Sequence, residues 1–297
     1  MSKLTDLKAP DVIEALDYES ILVKIKADYL AANPAYTADV ESDPVVKMME
    51  TCAYRELGVR QRVNDAARAL LLAEAVGTDL DHIAFTYYQG LTRLLVDPGD
   101  AAAIPPIPPI YESDDRLRER CALSLYAYST AGPRGAYKFY AMTASADVKD
   151  VDVAKHTPAP GDVTLTLLST VGDGVADQAL IDLVQLALDA EDKRPLNDTP
   201  FTQTATIKPW TLDASLICYP NANTTLVLQL ANAAATKFVA DHHALDHDIN
   251  ISALDAALHV PGVQRVQITS PAADLIISNI EAPFNTAIAI AITGTAT

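Results

Sequence analysis

From residue 43 to residue 75 apolar side chains return at spacings of three and four: Val45, Met49, Cys52, Val59, Val63, Ala66, Leu70 and Ala73, with Glu56 the one polar intruder. That spacing is the seam of an amphipathic helix. Asp43 is placed to cap it, Pro44 suits the first helical position because no amide donor is needed there, and Gly77 stands where a left-handed residue would end it. Roughly thirty residues rising about 1.5 Å each give a rod on the order of 45 Å. Its opposite side carries Lys47, Glu50, Arg55, Arg60, Gln61, Asn64, Asp65, Arg68 and Glu74, which excludes a membrane span. Few flanking residues are available to cover so long a seam. The helix is therefore expected to enter a multi-chain bundle.

A chain of 297 residues can bury a sizeable core and hold more than one domain. Its 22 Lys and Arg against 39 Asp and Glu leave a formal charge of −17, which repels phosphate backbones and anionic lipid. No nucleic-acid partner is expected. The apolar tail over 286–297 is too short for a spanning helix and too late for a signal peptide. Cys52, Cys121 and Cys218 are odd in number and far apart, so they read as ordinary buried residues in a reducing compartment.

Ahead of the long helix, Ile21, Leu22, Ile25, Tyr29 and Leu30 share a face of a second helix that Asp17 or Ser20 could cap and that stops at Asn33-Pro34. Only a short polar loop separates the two helices, so they either pack on each other or each join a larger bundle. A short capped helix follows from Thr78 and ends near Gly90. Residues 104–110, Ile-Pro-Pro-Ile-Pro-Pro-Ile, read as an extended polyproline spacer, with docking to an aromatic groove as the alternative. Helix resumes after Asp114, with Leu117, Cys121, Leu125 and Tyr128 on one face, breaks at Gly132-Pro133 and resumes over 135–144. Beyond it the segments 147–153 and 262–268 have matching apolar spacing, each after a helix and each followed by a proline, Pro158 or Pro271. Two related units are expected. Alternation marks strands at 162–168, 202–208 and 212–219, and helices at 178–190 and 226–242 would cover the sheets. The strand edges at 212–219 and 263–268 are the expected contacts between neighbouring copies, the second less exposed if central.

The expected fold class is α+β. An extended N-terminal helical arm over 1–96 forms a bundle, 97–113 is a proline-rich linker, 114–146 a helical connector, and 147–209 and 210–297 are two tandem small α/β sandwich units. Ile21, Leu22, Ile25, Tyr29, Val45, Met49, Cys52, Val59, Val63, Ala66 and Leu70 are the expected partner-facing residues.

Catalytic patterns are absent from the sequence. His243 and His247 could share a helix face and bind zinc beside Asp241, Asp246 or Asp248, but no glutamate completes a metalloprotease motif. A solvated helix terminus explains the cluster equally well. Gly172-Asp173-Gly174 lacks the lysine of a phosphate loop and reads as a turn. No catalytic residue, metal or cofactor is assigned; a metal-dependent hydrolase using the cluster from Asp241 to His247 is the alternative function.

An ordered set of landmarks runs nearly the length of the chain. It begins with Ala9-Pro10-Asp11-Val12 and Leu16-Asp17-Tyr18-Glu19-Ser20-Ile21-Leu22. It continues through Ala53-Tyr54-Arg55-Glu56-Leu57, Arg60-Gln61-Arg62-Val63-Asn64, and Gly77 with Asp79-Leu80-Asp81. After the proline stretch come Glu112-Ser113-Asp114, Arg116-Leu117-Arg118, Ala131-Gly132 and Gly135-Ala136-Tyr137. Ala256-Ala257-Leu258-His259-Val260 and Gly262-Val263-Gln264-Arg265-Val266 close it. In order and spacing this set resembles the baseplate J-like family of contractile phage tails and R-type tailocins. The resemblance implies a structural wedge subunit without enzymatic activity, assembled in the bacterial host cytoplasm into a tail baseplate. It further implies a helical core bundle made with a second copy and another wedge subunit. The other implied partners are the sheath initiator or hub, fibre-connecting proteins and neighbouring wedges, the last met through the C-terminal units.

Overall fold

A computed structural model of the chain describes residues 8, 10–37, 40–129, 131–155, 161–190, 193–195 and 197–295. Ala9, Pro158 and the last two residues of the tail lie outside them. The chain divides into two compact units. One runs up to Thr92 and includes Ser113–Arg118; the other comprises Arg93–Glu112 and everything from Glu119 onward.

In the first unit, α1 (Tyr18–Ala32) is capped by Asp17, whose carboxylate accepts from the Ser20 amide at 2.9 Å and the Ser20 hydroxyl at 2.6 Å. The long helix α2 (Pro44–Ala69) is capped by Asp43, which accepts from the Val45 amide at 2.7 Å. The two helices pack on each other, burying Ile21 of α1 and Val46, Met49, Ala53 and Asn64 of α2. Asn64 acts as a clamp: its Oδ1 accepts from the Glu14 amide at 3.1 Å and its Nδ2 donates to the Glu14 carbonyl at 2.9 Å. Arg60 reinforces it through the Glu14 carboxylate at 3.0 Å. At 26 residues α2 is shorter than its periodicity suggests, because the chain tightens into short-range turns at Leu70 and Leu71. The freed carbonyls of Leu72 and Ala75 accept from the Arg118 guanidinium at 2.8 and 2.9 Å. Gly77, with φ +55°, does not end α2; it opens α3 (Gly77–Tyr87).

The expected spacer is instead a hairpin. Strands β1 (Leu95–Asp97) and β2 (Ile110–Tyr111) pair antiparallel, and Asp100 and Ile107 exchange backbone bonds of 3.0 and 2.9 Å further out. Gly99 turns the chain at φ +67°, where a Cβ would collide with the Ile107 carbonyl. At its base Glu112 is buried and its Oε1 accepts from both the Leu94 amide, at 3.2 Å, and the Arg120 guanidinium. Arg120 is also buried, and its Nε reaches the Thr143 hydroxyl at 3.4 Å. Arg120 lies on α4 (Asp114–Ser124), which buries Leu117 and Cys121. Leu125 and Tyr128 do not continue that face; they lie exposed in a 3₁₀ turn, Leu125–Tyr128, before α5 (Arg134–Ala144).

Two three-stranded sheets follow. In the first, β3 (Val148–Lys155) pairs antiparallel with β4 (Asp162–Ser169), which pairs parallel with β5 (Thr199–Thr204). Tyr137, Ala141 and Met142 of α5 and Leu180, Val184 and Leu188 of α6 (Gln178–Leu188) pack on Val148, Val151, Val153, Leu165 and Leu167. In the second, the central β6 (Thr206–Cys218) pairs antiparallel with β7 (Val263–Ser270) and parallel with β8 (Glu281–Thr295). Trp210, Leu212, Ala214, Leu216 and Cys218 point at period two to meet Val227, Ala231, Ala235 and Phe238 of α7 (Thr224–His242) and Leu254 and Leu258 of α8 (Ile251–Leu258).

Both sheets thus place a central strand between one antiparallel and one parallel neighbour, but the chain reaches them in different order. The antiparallel edge precedes the central strand in the first and follows it in the second. Four expectations change. The boundary set at 209/210 falls inside β6, and the strand expected over 202–208 is divided between β5 and β6. Residues 212–218 form the central strand, so the edges are β7 and β8. The tail, read only as an apolar run, supplies β8 through Thr295.

Replacing Arg120 by Met removes the buried guanidinium that the Glu112 carboxylate faces and is expected to cost about 3–5 kcal/mol. The double replacement Glu112→Leu/Arg120→Met removes both charges and recovers most of that loss, as read from urea unfolding midpoints.

Candidate partner interface

The expected partner-facing residues divide between two faces. Ile21 and Met49 are buried where α1 meets α2, and Leu22, Ile25, Tyr29 and Val45 are half-buried. Cys52, Val59, Val63, Ala66 and Leu70 are exposed, Val59 at 64%, Val63 at 57% and Leu70 at 79%. At about 100° per residue, these five fall within an arc of roughly 60°. That arc lies about 120° round the helix from the line of Val46, Ala53 and Asn64 that meets α1. Heptad spacing merges these into one seam; the structure separates an inner contact with α1 from an outer apolar stripe.

Met48, 69% exposed, belongs to the outer stripe, and the 3.6-residue period finds it where a strict heptad does not. The exposure of Cys52 also overturns its reading as a buried thiol. The helix beneath the stripe carries Lys47, Arg55, Arg60, Arg62 and Arg68 against Glu50, Glu56 and Asp65, a net positive element in a chain of charge −17. Arg55 and Arg62 are exposed on one flank of the stripe.

The histidine cluster is arranged differently from its expectation. α7 ends at His242, so His243 is its C-cap and does not share a helix face with His247. The His242 ring stacks on Phe238 with centroids 3.7 Å apart and meets His247 edge-on at 4.7 Å. His243 turns toward Phe284 of β8, with ring centroids 5.5 Å apart, and its Nε2 lies close to Gly174. Among the described residues no group of three His, Cys, Asp or Glu side chains is placed to hold a metal ion. What the cluster does build is the junction between the two sheets. Leu168 and Ala205 pack there with Leu245 and Ala282, and Asp150, paired with Lys138 at 3.0 Å, accepts from the Leu245 amide at 3.1 Å. Asn279 donates to Asp152 at 3.0 Å across the same junction. Burial first, and the Lys149 ammonium second, hold His243 below the ordinary histidine value, opposed by Asp173.

Three stretches of the chain match protein families in order. These are the Baseplate J-like N-terminal domain over 41–100, the Baseplate J-like central domain over 129–204 and the Baseplate J-like protein C-terminal domain over 210–291. The chain is 41% identical over 290 residues to Baseplate protein J of Escherichia phage P2, a match covering 95% of each protein. Among solved structures it is similar to a chain of the anti-feeding prophage (AFP) baseplate determined by cryo-EM. The identity there is 14% and the TM-score 0.44, over 61% of this chain and 44% of that one, so this chain spans less than half the length of that neighbour.

Inner and outer faces of α2 are expected to respond differently in the isolated protein. Met49→Ala removes buried volume against α1 and costs about 2–5 kcal/mol, whereas Val59→Ala on the exposed stripe changes stability by about 0.5 kcal/mol or less. Denaturant titration of the two variants checks this. A second expectation concerns pH. Because the folded state holds His243 below its unfolded value, the neutral ring is the form that folding favours. Stability from this group is therefore complete above about pH 6.5 and lost as pH falls below it. Unfolding midpoints taken from about pH 8 to about pH 5 should fall less steeply in His243→Gln than in the parent chain.

Proposed function

The chain belongs to the baseplate J-like family, and on that premise we propose that it is a non-catalytic wedge subunit of a contractile-tail baseplate. Its role is structural, in the baseplate of a phage or a phage-derived particle. In such a wedge, α1 and α2 form a bundle-forming arm. A second copy of the chain and another wedge subunit lay helices along α2, while the two α/β units meet neighbouring wedges. The hub or sheath initiator and fibre-connecting proteins complete the set of partners, and assembly takes place in the host cytoplasm before the particle is released.

One observation carries this reading: an apolar stripe from Cys52 to Leu70 stays on the surface although α1 already covers the other side of the same helix. A row of exposed apolar residues about five turns long is what a helix offers when a further helix is to be laid against it. Its basic flank at Arg55 and Arg62 favours a partner helix edged with Asp or Glu, which lifts association rate and fixes register more than it adds affinity.

Val59→Asp and Leu70→Asp place a charge where a partner helix would desolvate it, at a cost of several kcal/mol to association and little to folding. Each variant is expected to keep the unfolding midpoint of the parent chain yet fail to co-purify with its wedge partners. Co-purification at parental yield by both variants shows that the stripe is not the contact. A chain ending at Ala146 retains α1 and α2 and is expected to bind the same partners but never to yield closed rings in electron micrographs.

A further inference from the structure

β8 is the last strand of its sheet, and one of its two edges faces β6. Among the described residues, no backbone bond reaches its other edge beyond Glu281, whose carbonyl accepts from Asp246. Long free edges are ordinarily protected by charge, proline or shortness. Here residues 282–295 contain no charged side chain, in a chain of formal charge −17, and their one proline, Pro283, lies at the start, paired with Lys208. Protection comes instead from two register shifts in the ladder with β6. Trp210 pairs with Asn285 but Thr211 with Ala287, and Leu216 pairs with Ile292 but Ile217 with Gly294, so Thr286 and Thr293 are extra residues that bend the strand. Between those bulges, Ala287 to Ile292 runs in unbroken register. The bulges leave a straight, neutral window bounded at both ends.

That window is self-complementary. Ile288, Ile290 and Ile292 pack on the core below α7 and stay only half-buried, while Ala287, Ala289 and Ala291 are exposed. Antiparallel pairing of the window with its own copy about a two-fold axis normal to the sheet keeps each face on its own side. Centred on Ile290, it sets Ile288 against the second copy's Ile292 and Ala289 against its Ala291, so the isoleucines continue one apolar layer. We propose that the outer edge of β8 is a strand-pairing site for β8 of a second copy of this chain, joining two C-terminal sheets into one of six strands. A strand is the occupant that satisfies a row of free amides and carbonyls, and the absence of charge suits a partner that is itself acidic. This contact is independent of the helical stripe and does not require it.

The test uses the full-length chain and amide hydrogen exchange over residues 286–294 across a concentration series. In the parent chain the outer-edge amides are expected to become protected as concentration rises. Ala289→Lys/Ala291→Lys puts lysine opposite lysine at both alanine pairs and should weaken pairing by on the order of tenfold or more. Ala289→Glu/Ala291→Glu should do the same alone, and mixing the two variants should restore protection, which also shows that both remain folded. Protection in the parent chain that does not depend on concentration overturns the proposal. So does a lysine variant that keeps its protection, a mixture that recovers none, or protection that appears only when a different baseplate subunit is added. Association that survives in the lysine variant with β8 unprotected belongs to another surface and leaves the strand pairing supported.

Discussion

Two full charges, the carboxylate of Glu112 and the guanidinium of Arg120, meet with almost no solvent around either. Such a pair contributes little net stability compared with apolar side chains of the same volume, because each ion gives up its hydration. Its effect lies in what it forbids. Any arrangement that separates the two leaves a naked charge in the interior. Because the same carboxylate oxygen also accepts from the Leu94 amide, the base of the hairpin is fixed to α4 in one register. Thr143 on α5 closes the network from the other side. The hairpin, α4 and the helix that covers the first sheet are therefore held by polar geometry at a place where few apolar contacts define the hairpin's position.

How much of this is legible in the sequence depends on how local each determinant is. Asp17 and Asp43 cap their helices as the sequence indicates, because a cap is decided within three residues. The central strands and covering helices follow from periods of two and 3.6 for the same reason. The hairpin is hidden. Its prolines hold the chain extended, as a polyproline spacer would, and what makes it a hairpin is pairing across the loop from Leu94 to Glu112. Asn64 is similarly opaque: it reads as part of a polar face, and it is buried because its amide fits the backbone of a residue 50 positions away. β8 escapes notice because alanine alternating with isoleucine has weak strand propensity on one side, and only the partner strand β6 makes the alternation meaningful.

On α2 the sequence supplies the right residues and the wrong grouping. Over 26 residues a strict heptad drifts by tens of degrees relative to an α-helix. A seam read at 3.5 residues therefore crosses from one face to the other. Met49 is buried toward α1, and Cys52 onward follows the outer stripe. One helix therefore carries two apolar faces at once. The inner one is fixed by the Asn64 clamp and the outer one remains on the surface.

Charge explains why the surfaces proposed for assembly have the composition they do. Two copies of a chain at −17 repel each other at long range, and in physiological salt that repulsion is screened beyond about 8 Å but not at contact. A contact between copies is therefore cheapest where neither side brings a carboxylate. The straight window of β8 meets this condition with no charge at all. The α2 stripe meets it differently, by placing Arg55 and Arg62 beside apolar residues, which makes the helix attractive to acidic neighbours, including the rest of its own kind. In a chain this acidic the two proposed surfaces thus stand out, one as neutral and one as basic. Neither needs to be tight, since a closed assembly multiplies modest contacts into a stable whole.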